Sequence, residues 1–339
     1  MQTFNTLLPP DFLALRTHLV GDHSDSRIER LRLDDLSPGD VVIRTRYAGV
    51  NYKDCLSLHS QARIITSFPR VAGIELMGEV VESSTPDFQH GQPVLVHGFQ
   101  TGIAFDGGFS EYVRVPAVHV QALPENLTPH EAAVLGVPGF TAAMALERFE
   151  DHGLTPAAGT VAVSGAGGAV GLVAIAILAR AGYRVAAITR RMEQAGSLLA
   201  AGATEVVDAA VLGQAQRPLE RARFAAAIDN VGGPMLSWLL RSMQDGGSVA
   251  SVGNASGNTF EGSVLPFVMR RVQLFGVVAN APWPQRRRLW ARLGGDLKPN
   301  FATLMPHVQH IGLHDLMAHT ARQLEGSTSG RALLTFDDQ

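Results

Sequence analysis

The 339-residue chain is poor in four things: it has one cysteine, 6% aromatic residues, 17% charged residues and no long apolar run. Each shortage excludes something. A single thiol, Cys55, builds neither an intramolecular disulfide framework nor a Cys-rich structural zinc site. The longest apolar stretch, 169–179, spans about eleven residues, against the ~20 a membrane helix needs. Arg16, Asp22, Asp25 and Arg27 interrupt the N-terminal region before an apolar signal segment forms. The 28 basic and 31 acidic side chains leave a net charge of −3, which offers no electrostatic footprint for nucleic acid. The expectation is a soluble, cytoplasmic protein that engages neither membrane nor nucleic acid.

What is abundant is small and apolar. Hydrophobic residues make up 46% and there are 35 glycines, about one residue in ten against a usual ~7%. That composition excludes a mainly disordered chain, which needs low hydrophobicity and high net charge. With few aromatics the core must be Ala, Val, Leu and Ile, and glycine among small aliphatics suits closely packed α/β layers. The length corresponds to about two domains.

Along the chain the first ~45 residues give mixed signals, with a strand-like run at Val41-Val42-Ile43 after the turn 37–40. Short β-like runs follow at 78–82, 93–96 and 109–115, separated by Gly and Pro, and predict a mostly antiparallel, barrel-like domain. The texture changes near residue 125. Thr128 is placed as a helix N-cap, with Pro129 at the first helical position and Glu131 set to close a capping box. A second helical stretch, 140–150, follows Pro138-Gly139. Strands are then predicted at 160–164, 184–189, 205–208, 225–230, 248–253 and 273–278, with helices over 170–180 and 193–201. Strand–helix alternation with short loops specifies a doubly wound parallel sheet. A basic helix at 285–293 and a strand at 331–336 close the chain.

Ser164-Gly165-Ala166-Gly167-Gly168-Ala169-Val170-Gly171 joins an apolar strand to an apolar helix, the context that a dinucleotide turn requires. There glycine permits a tight reversal, lets a pyrophosphate reach backbone N–H groups and lets helix and strand approach. The spacing Gly165-x-x-Gly168-x-x-Gly171 departs from Gly-x-Gly-x-x-Gly, and a Gly-rich turn without a ligand is the competing reading. About twenty residues on, NAD sites place an acid for the ribose 2′-hydroxyl. Here the strand ends Thr189-Arg190-Arg191, with no acid, which suits a 2′-phosphate and hence NADPH. A solvated basic loop is the alternative.

The ordered motifs Ala48-Gly49-Val50-Asn51-Tyr52-Lys53-Asp54, Val71-Ala72-Gly73-Ile74-Glu75, Gly107-Gly108-Phe109-Ser110-Glu111-Tyr112 and Gly139-Phe140-Thr141-Ala142 extend the pattern. Arg217-Pro218-Leu219-Glu220, Ala227-Ile228-Asp229-Asn230-Val231-Gly232, Leu265-Pro266-Phe267-Val268-Met269-Arg270 and Gly330-Arg331 complete it. Together they resemble the zinc-free medium-chain dehydrogenase/reductases, in the quinone oxidoreductase and acryloyl-CoA reductase branch. The resemblance implies an α/β fold: a Rossmann doubly wound parallel sheet domain over 129–284, inside a GroES-like, mostly β-barrel catalytic domain of 1–128 and 285–339. It also implies a homodimer and a small-molecule substrate.

Site residues follow from the resemblance. Asn51 and Tyr52 face the nicotinamide, Cys55 lies close to the cofactor and Thr141 lies near nicotinamide and ribose. Gly168, Val170, Gly171 and Leu172 sit under the pyrophosphate, while Thr189, Arg190 and Arg191 address the 2′-phosphate. Gly253 and Phe275-Gly276-Val277 border the cofactor channel, and Arg331 reaches the cofactor from the last strand. Tyr52 is the candidate proton donor, or else a ring that only shapes the pocket. Lys53 and Asp54 pair to orient their loop. No metal is expected, since a catalytic zinc needs about three protein ligands and Val50-Asn51 stand where a cysteine would. The acryloyl-CoA reductases carry a His-Trp pair where this chain has Ala104-Phe105-Asp106, in a loop expected to border the substrate. Residues 284–288 either bind coenzyme A phosphates or form a solvated helix face, and His307, His310, His314 and His319 are expected at the surface. The implied activity is NADPH-dependent reduction of an α,β-unsaturated thioester such as acryloyl-CoA. An NADPH:quinone oxidoreductase and a non-catalytic NADPH-binding protein are the alternatives.

Overall fold

Early polar sequence forms a hairpin that its pattern did not announce. The computed structural model of the protein describes residues 8–60, 62–210 and 217–336. It divides into two compact units, Met1–Val137 with Val308–Gln339, and Pro138–His307. In the first, β1 (Phe12–Val20) and β2 (His23–Leu31) pair antiparallel around Gly21, whose φ of +62° suits glycine. A longer strand, β3 (Val41–Val50), leads into helix α1 (Tyr52–Leu58). The short β4 (Arg70–Val71) pairs with β1, and β5 (Glu75–Ser83) and β6 (Pro93–His97) extend the sheet of β3 antiparallel. β7 (Tyr112–Val115) pairs with β3, and β8 (Gln121–Ala122) with β6. The strand expected over 109–115 is thus shorter. Residues 109–111 bond instead to Ala72 and to β1, as in Phe109 N→Ala72 O (3.0 Å) and Glu111 N→Leu13 O (3.0 Å). Val41, Ile43, Leu76, Val80, Val94 and Val113 fill one core, and Phe12, Leu15, Leu58 and Phe109 belong to another.

Helix α2 (Pro129–Asp151) starts as its sequence prescribes. Thr128 Oγ1 accepts from Glu131 N (3.2 Å) and Thr128 N donates to Glu131 Oε2 (2.9 Å), a closed capping box. The two helical stretches expected on either side of Pro138-Gly139 run as one element, broken at Gly136 (φ +40°, ψ −143°). Pro138 follows that break closely, where a missing N–H costs little.

The second unit is built on β9 (Thr160–Ser164), helix α3 (Ala169–Arg180), β10 (Arg184–Thr189), helix α4 (Ala195–Ala200) and β11 (Glu205–Asp208). Beyond them come β12 (Phe224–Asp229), helix α5 (Gly233–Arg241), β13 (Met243–Ser251), helix α6 (Leu265–Arg270) and β14 (Gln273–Gly276). The order β11-β10-β9-β12-β13-β14 is parallel throughout. Numbered within the unit it reads 3-2-1-4-5-6, the order of a dinucleotide-binding sheet, with its switch point between β9 and β12. All six residues of β12 are buried, as a central parallel strand covered on both faces demands.

Helix α7 (Trp283–Leu293) turns Leu289, Trp290 and Leu293 inward and joins α2 through Arg288–Glu147 (2.8 Å) and Arg292–Glu150. The second unit consequently extends to His307, beyond the limit at 284 expected from the sequence, and begins at Pro138 rather than 129. The four-residue helix α8 (Phe301–Leu304) follows. The chain then returns to the first unit with β15 (Val308–Ile311), helix α9 (Leu316–Leu324) and β16 (Arg331–Thr335). β16 pairs antiparallel with β3, giving the order β15-β16-β3-β5-β6-β8.

Candidate active site

At the switch point the glycine turn is held from both sides. Gly165 adopts φ +59°, a conformation glycine permits without strain, and Gly168 N closes the turn onto Gly165 O (2.9 Å). Gly168 then caps α3 in extended conformation (φ −83°, ψ 170°). A Cβ on Gly171 would lie 2.4 Å from Gly165 O and 2.8 Å from Ala166 Cα, so the first turn of α3 touches the loop backbone directly. Below the turn, Ser164 Oγ donates to Asp229 Oδ1 (2.6 Å) and accepts from Asn230 N (2.9 Å). Asp229 also accepts from Val231 N (3.1 Å) and Gly232 N (3.0 Å). Burial raises its carboxyl pKa against these donors. This knot ties the C-terminal ends of β9 and β12 together, which fixes the mouth of the crevice where such sheets bind ligands. Val170 is half-buried, while Gly171 and Leu172 are buried.

Thr189 ends β10 buried, its Oγ1 accepting from Arg191 N (3.0 Å); Arg190 is exposed and Arg191 half-buried. These residues and the glycine turn share the C-terminal end of one parallel sheet. Gly253 packs there too, since a Cβ would fall 2.4 Å from Asn230 O. The Phe275 ring meets Phe149 edge-on (centroids 5.5 Å apart) and lies under the Arg148 guanidinium (4.8 Å). Gly276 ends β14 and Val277 N continues the ladder onto Ser251 O (3.0 Å), so the strand stops short of the predicted 278. Thr141 is buried on α2.

In the first unit Asn51 caps α1, and its N–H donates to Asp54 Oδ2 (3.0 Å). Its side-chain Nδ2 donates to Glu75 Oε1 (2.7 Å) and Gly49 O (3.2 Å). Arg331, 1% exposed, donates through Nη2 to Glu75 Oε1 (2.6 Å) and Ala133 O (3.0 Å), with Nη1 3.5 Å from Asn51 Oδ1. Glu75 Oε2 accepts from Val137 N (2.7 Å). Glu75 has no role legible from its motif; its one signal in the sequence is a lone acid flanked by Ile74, Leu76 and Met77. Arg331, which the resemblance assigns to the cofactor, is bonded here to Asn51, Glu75 and Ala133.

The expected Lys53–Asp54 pair does not form. Lys53 is exposed, while Asp54 is 1% exposed and accepts from Asn51 N and Ile74 N (both 3.0 Å). Burial pushes the Asp54 carboxyl up to about 7, with the Glu75 charge adding to the rise. Cys55 lies in the apolar core with its Sγ donating to Asn51 O (3.4 Å), and burial raises its thiol pKa. Tyr52, the first residue of α1, is half-buried.

Asp106 braces its own loop, accepting from Ser37 N (2.7 Å), Ser37 Oγ (2.8 Å) and Val71 N (2.8 Å) and pairing with Arg70 (3.2 Å). Of the basic helix, Arg286 is buried against Phe140 and Trp283, while Arg287 and Arg288 are both exposed, Arg287 over the Trp283 ring and Arg288 bound to Glu147. Arg270 donates to the carbonyls of Glu220 (2.6 Å), Arg241 (3.0 Å) and Met243 (2.9 Å), so two motifs of the resemblance meet as a backbone clamp. Among the histidines, His319 is buried rather than at the surface, on the inner face of α9 with Leu316 and Thr320.

Two family models match the chain: the alcohol dehydrogenase GroES-like domain over residues 37–125 and the zinc-binding dehydrogenase over 169–293. The chain is 39% identical to the acrylyl-CoA reductase AcuI of Ruegeria pomeroyi, over 92% of this chain and 94% of that one. This chain belongs to the medium-chain dehydrogenase/reductases. A second member, the putative quinone oxidoreductase YhfP of Bacillus subtilis, is 38% identical over 85% of this chain and 88% of its own. The Bacillus subtilis yhfP crystal structure with NAD bound superposes with a TM-score of 0.91, covering 97% of this chain and 100% of that one at 34% identity. The yhdH oxidoreductase of Salmonella enterica in complex with NADP gives a TM-score of 0.90, covering 96% and 100% at 34% identity. The fold of this family member is accordingly a GroES-like unit plus a Rossmann-like one, and the chain is an oxidoreductase of the nicotinamide-dependent class.

Proposed function

We propose that this protein reduces the activated C=C bond of an α,β-unsaturated thioester such as acryloyl-CoA, using NADPH and no zinc. The likeness to acrylyl-CoA reductase over nearly the full length of both chains carries this reading. One solved relative holds NADP and another NAD, so the end of β10 decides between them. Thr189-Arg190-Arg191 offers a hydroxyl and two guanidinium groups and no acid, which favours the 2′-phosphate.

The residues fit a dinucleotide. The turn 165–168 and the first residues of α3 supply N–H groups and the positive end of a helix for the pyrophosphate. NADPH held by this turn and by Thr189, Arg190 and Arg191 would supply hydride chemistry. The protein's own part is positioning and proton handling. Asn51 and Tyr52 stand at the start of α1, where a phenol hydroxyl donates a hydrogen bond to the thioester oxygen as negative charge develops, or a proton to the α-carbon. Thr141 orients the nicotinamide side of the cofactor.

Zinc does not fit this donor set. The sole cysteine is buried in the core, and no group of three or more His, Cys, Asp or Glu side chains converges among the described residues. No described helix is long and apolar enough to cross a membrane; a cytoplasmic location is part of the proposal. A homodimer is supported by the apolar face around α6 and the terminal strand β14. Val264, Val268, Met269 and Val278 there are 63–70% exposed.

A quinone acceptor is the second reading, favoured by the likeness to YhfP and by Ala104-Phe105-Asp106. The two separate on following NADPH absorbance with acryloyl-CoA and with a benzoquinone in turn. Faster turnover of the thioester supports the proposal; preference for the quinone reverses it. Tight NADPH binding with no consumption by either acceptor would identify a non-catalytic nucleotide-binding protein.

A further inference from the structure

Glu75 is a buried acid that the mechanism above does not use, and its partners Asn51, Arg331 and Val137 include the residue that caps the candidate catalytic turn. Resting on the reductase reading, we infer that Glu75 is a positioning residue: with Arg331 it locks the Asn51 carboxamide in one orientation and so sets Tyr52 against the reacting substrate.

The lock follows from donor and acceptor types. Asn51 Nδ2 faces two groups that can only accept, Glu75 Oε1 at 2.7 Å and Gly49 O at 3.2 Å. Asn51 Oδ1 faces Arg331 Nη1 at 3.5 Å, a group that can only donate. A flipped amide would set carbonyl against carboxylate and NH2 against guanidinium, so one rotamer survives. A second brace runs the other way between the same two segments. Ile74, the neighbour of Glu75, donates its N–H to Asp54 Oδ1 (3.0 Å), and Asp54 Oδ2 holds Asn51 N (3.0 Å). Tyr52 lies between these two anchored residues, so its backbone cannot rotate without breaking one of them.

The surrounding sequence is kept open for this cluster. A Cβ on Gly49 would come within 2.0 Å of Arg331 Nη2 and 2.2 Å of Glu75 Oε1. One on Gly136 would come within 2.1 Å of Glu75 Oε2. Glu75 is 4% exposed and its oxygens are engaged by Asn51, Arg331 and Val137, so it orients a donor rather than serving as one.

The test compares Glu75→Gln, Glu75→Asp, Asn51→Ala and the double variant Asn51→Ala/Glu75→Gln. Wild-type turnover of acryloyl-CoA or a quinone is measured first; if it is absent, the reductase reading fails, independently of Glu75. With an active wild type, Glu75→Gln should lower kcat at least 30-fold and leave the KM for NADPH within threefold. Glu75→Asp keeps the charge beside Arg331 but is one methylene too short to reach both Asn51 and Val137, so it should recover thermal stability more than kcat. The double variant should be no slower than Asn51→Ala alone. Additive losses in kcat, or an unchanged kcat in Glu75→Gln, would overturn the inference. A readout free of turnover is the Asn51 side-chain NH2 in 15N-resolved hydrogen exchange. Protection in the wild type that falls at least tenfold in Glu75→Asp supports the lock, and equal protection refutes it.

Discussion

Substituting Gly171 by Ala perturbs the nucleotide turn at its tightest point. The added Cβ would sit 2.4 Å from Gly165 O, 2.8 Å from Ala166 Cα and 2.9 Å from Gly165 C, where ordinary contact begins at 3.4 Å. All three atoms belong to the backbone, so no side chain can swing aside. Relief requires α3 and the turn to separate by about an ångström, an overpacking cost of roughly 1–3 kcal/mol. The same displacement stretches any hydrogen bond from the turn to a phosphate from about 2.9 Å toward the limit of such bonds. A loss of about 1.4–2.8 kcal/mol there corresponds to a 10- to 100-fold rise in the Kd for NADPH. Gly196→Ala is the control, because a Cβ at Gly196 meets nothing within 4 Å. Fluorescence titration with NADPH and thermal unfolding of both variants measure the two effects. A Gly171→Ala protein that melts lower but binds NADPH within twofold of wild type would refute the assignment of the turn to the phosphates.

Replacing both Arg190 and Arg191 by Ala should weaken NADPH far more than NADH, by tenfold or more in the ratio of their Kd values; equal losses would remove the 2′-phosphate role. The raised Asp54 carboxyl makes stability depend on pH with a definite sign. Its native pKa of about 7 lies above the ~3.9 of an unfolded aspartate, so its contribution is full below pH ~4 and is lost as pH rises through 7. Denaturant unfolding from pH 4.5 to 8 should show a decline of a few kcal/mol in the wild type that Asp54→Asn lacks; parallel curves would contradict it. Val268→Glu with Met269→Glu should convert a dimer to monomer in sedimentation velocity, and an unchanged sedimentation coefficient would clear this face of any role. Tyr52→Phe should lower turnover with little change in NADPH affinity, and unaltered turnover would leave Tyr52 as a pocket wall.

The parallel sheet was legible because its strands carry their own pattern. β9, β10 and β11 fall where apolar runs between glycine turns placed them, and the Thr128–Glu131 capping box was readable from spacing alone. The β1–β2 hairpin was not. His23–Leu31 is largely polar and half-exposed, so no alternation of apolar residues marks it as a strand. Asn51 and Tyr52 were found by motif, but their setting is made by residues distant in sequence. Arg331 reads as a basic residue opening a strand, and only the pairing of β16 with β3 brings it to Glu75. The same limit explains Lys53 and Asp54: adjacent residues on a helix point to different sides, and Asp54 points inward.

Hydride transfer to an activated alkene at a protein-held nicotinamide is followed most directly with an isotope. Acryloyl-CoA is incubated with the enzyme and NADPH deuterated at the transferring C4 position, and the propionyl-CoA formed is analysed by NMR. One deuterium is expected at the β-carbon and a solvent proton at the α-carbon. Deuterium at the α-carbon, or propionyl-CoA free of deuterium, would contradict it.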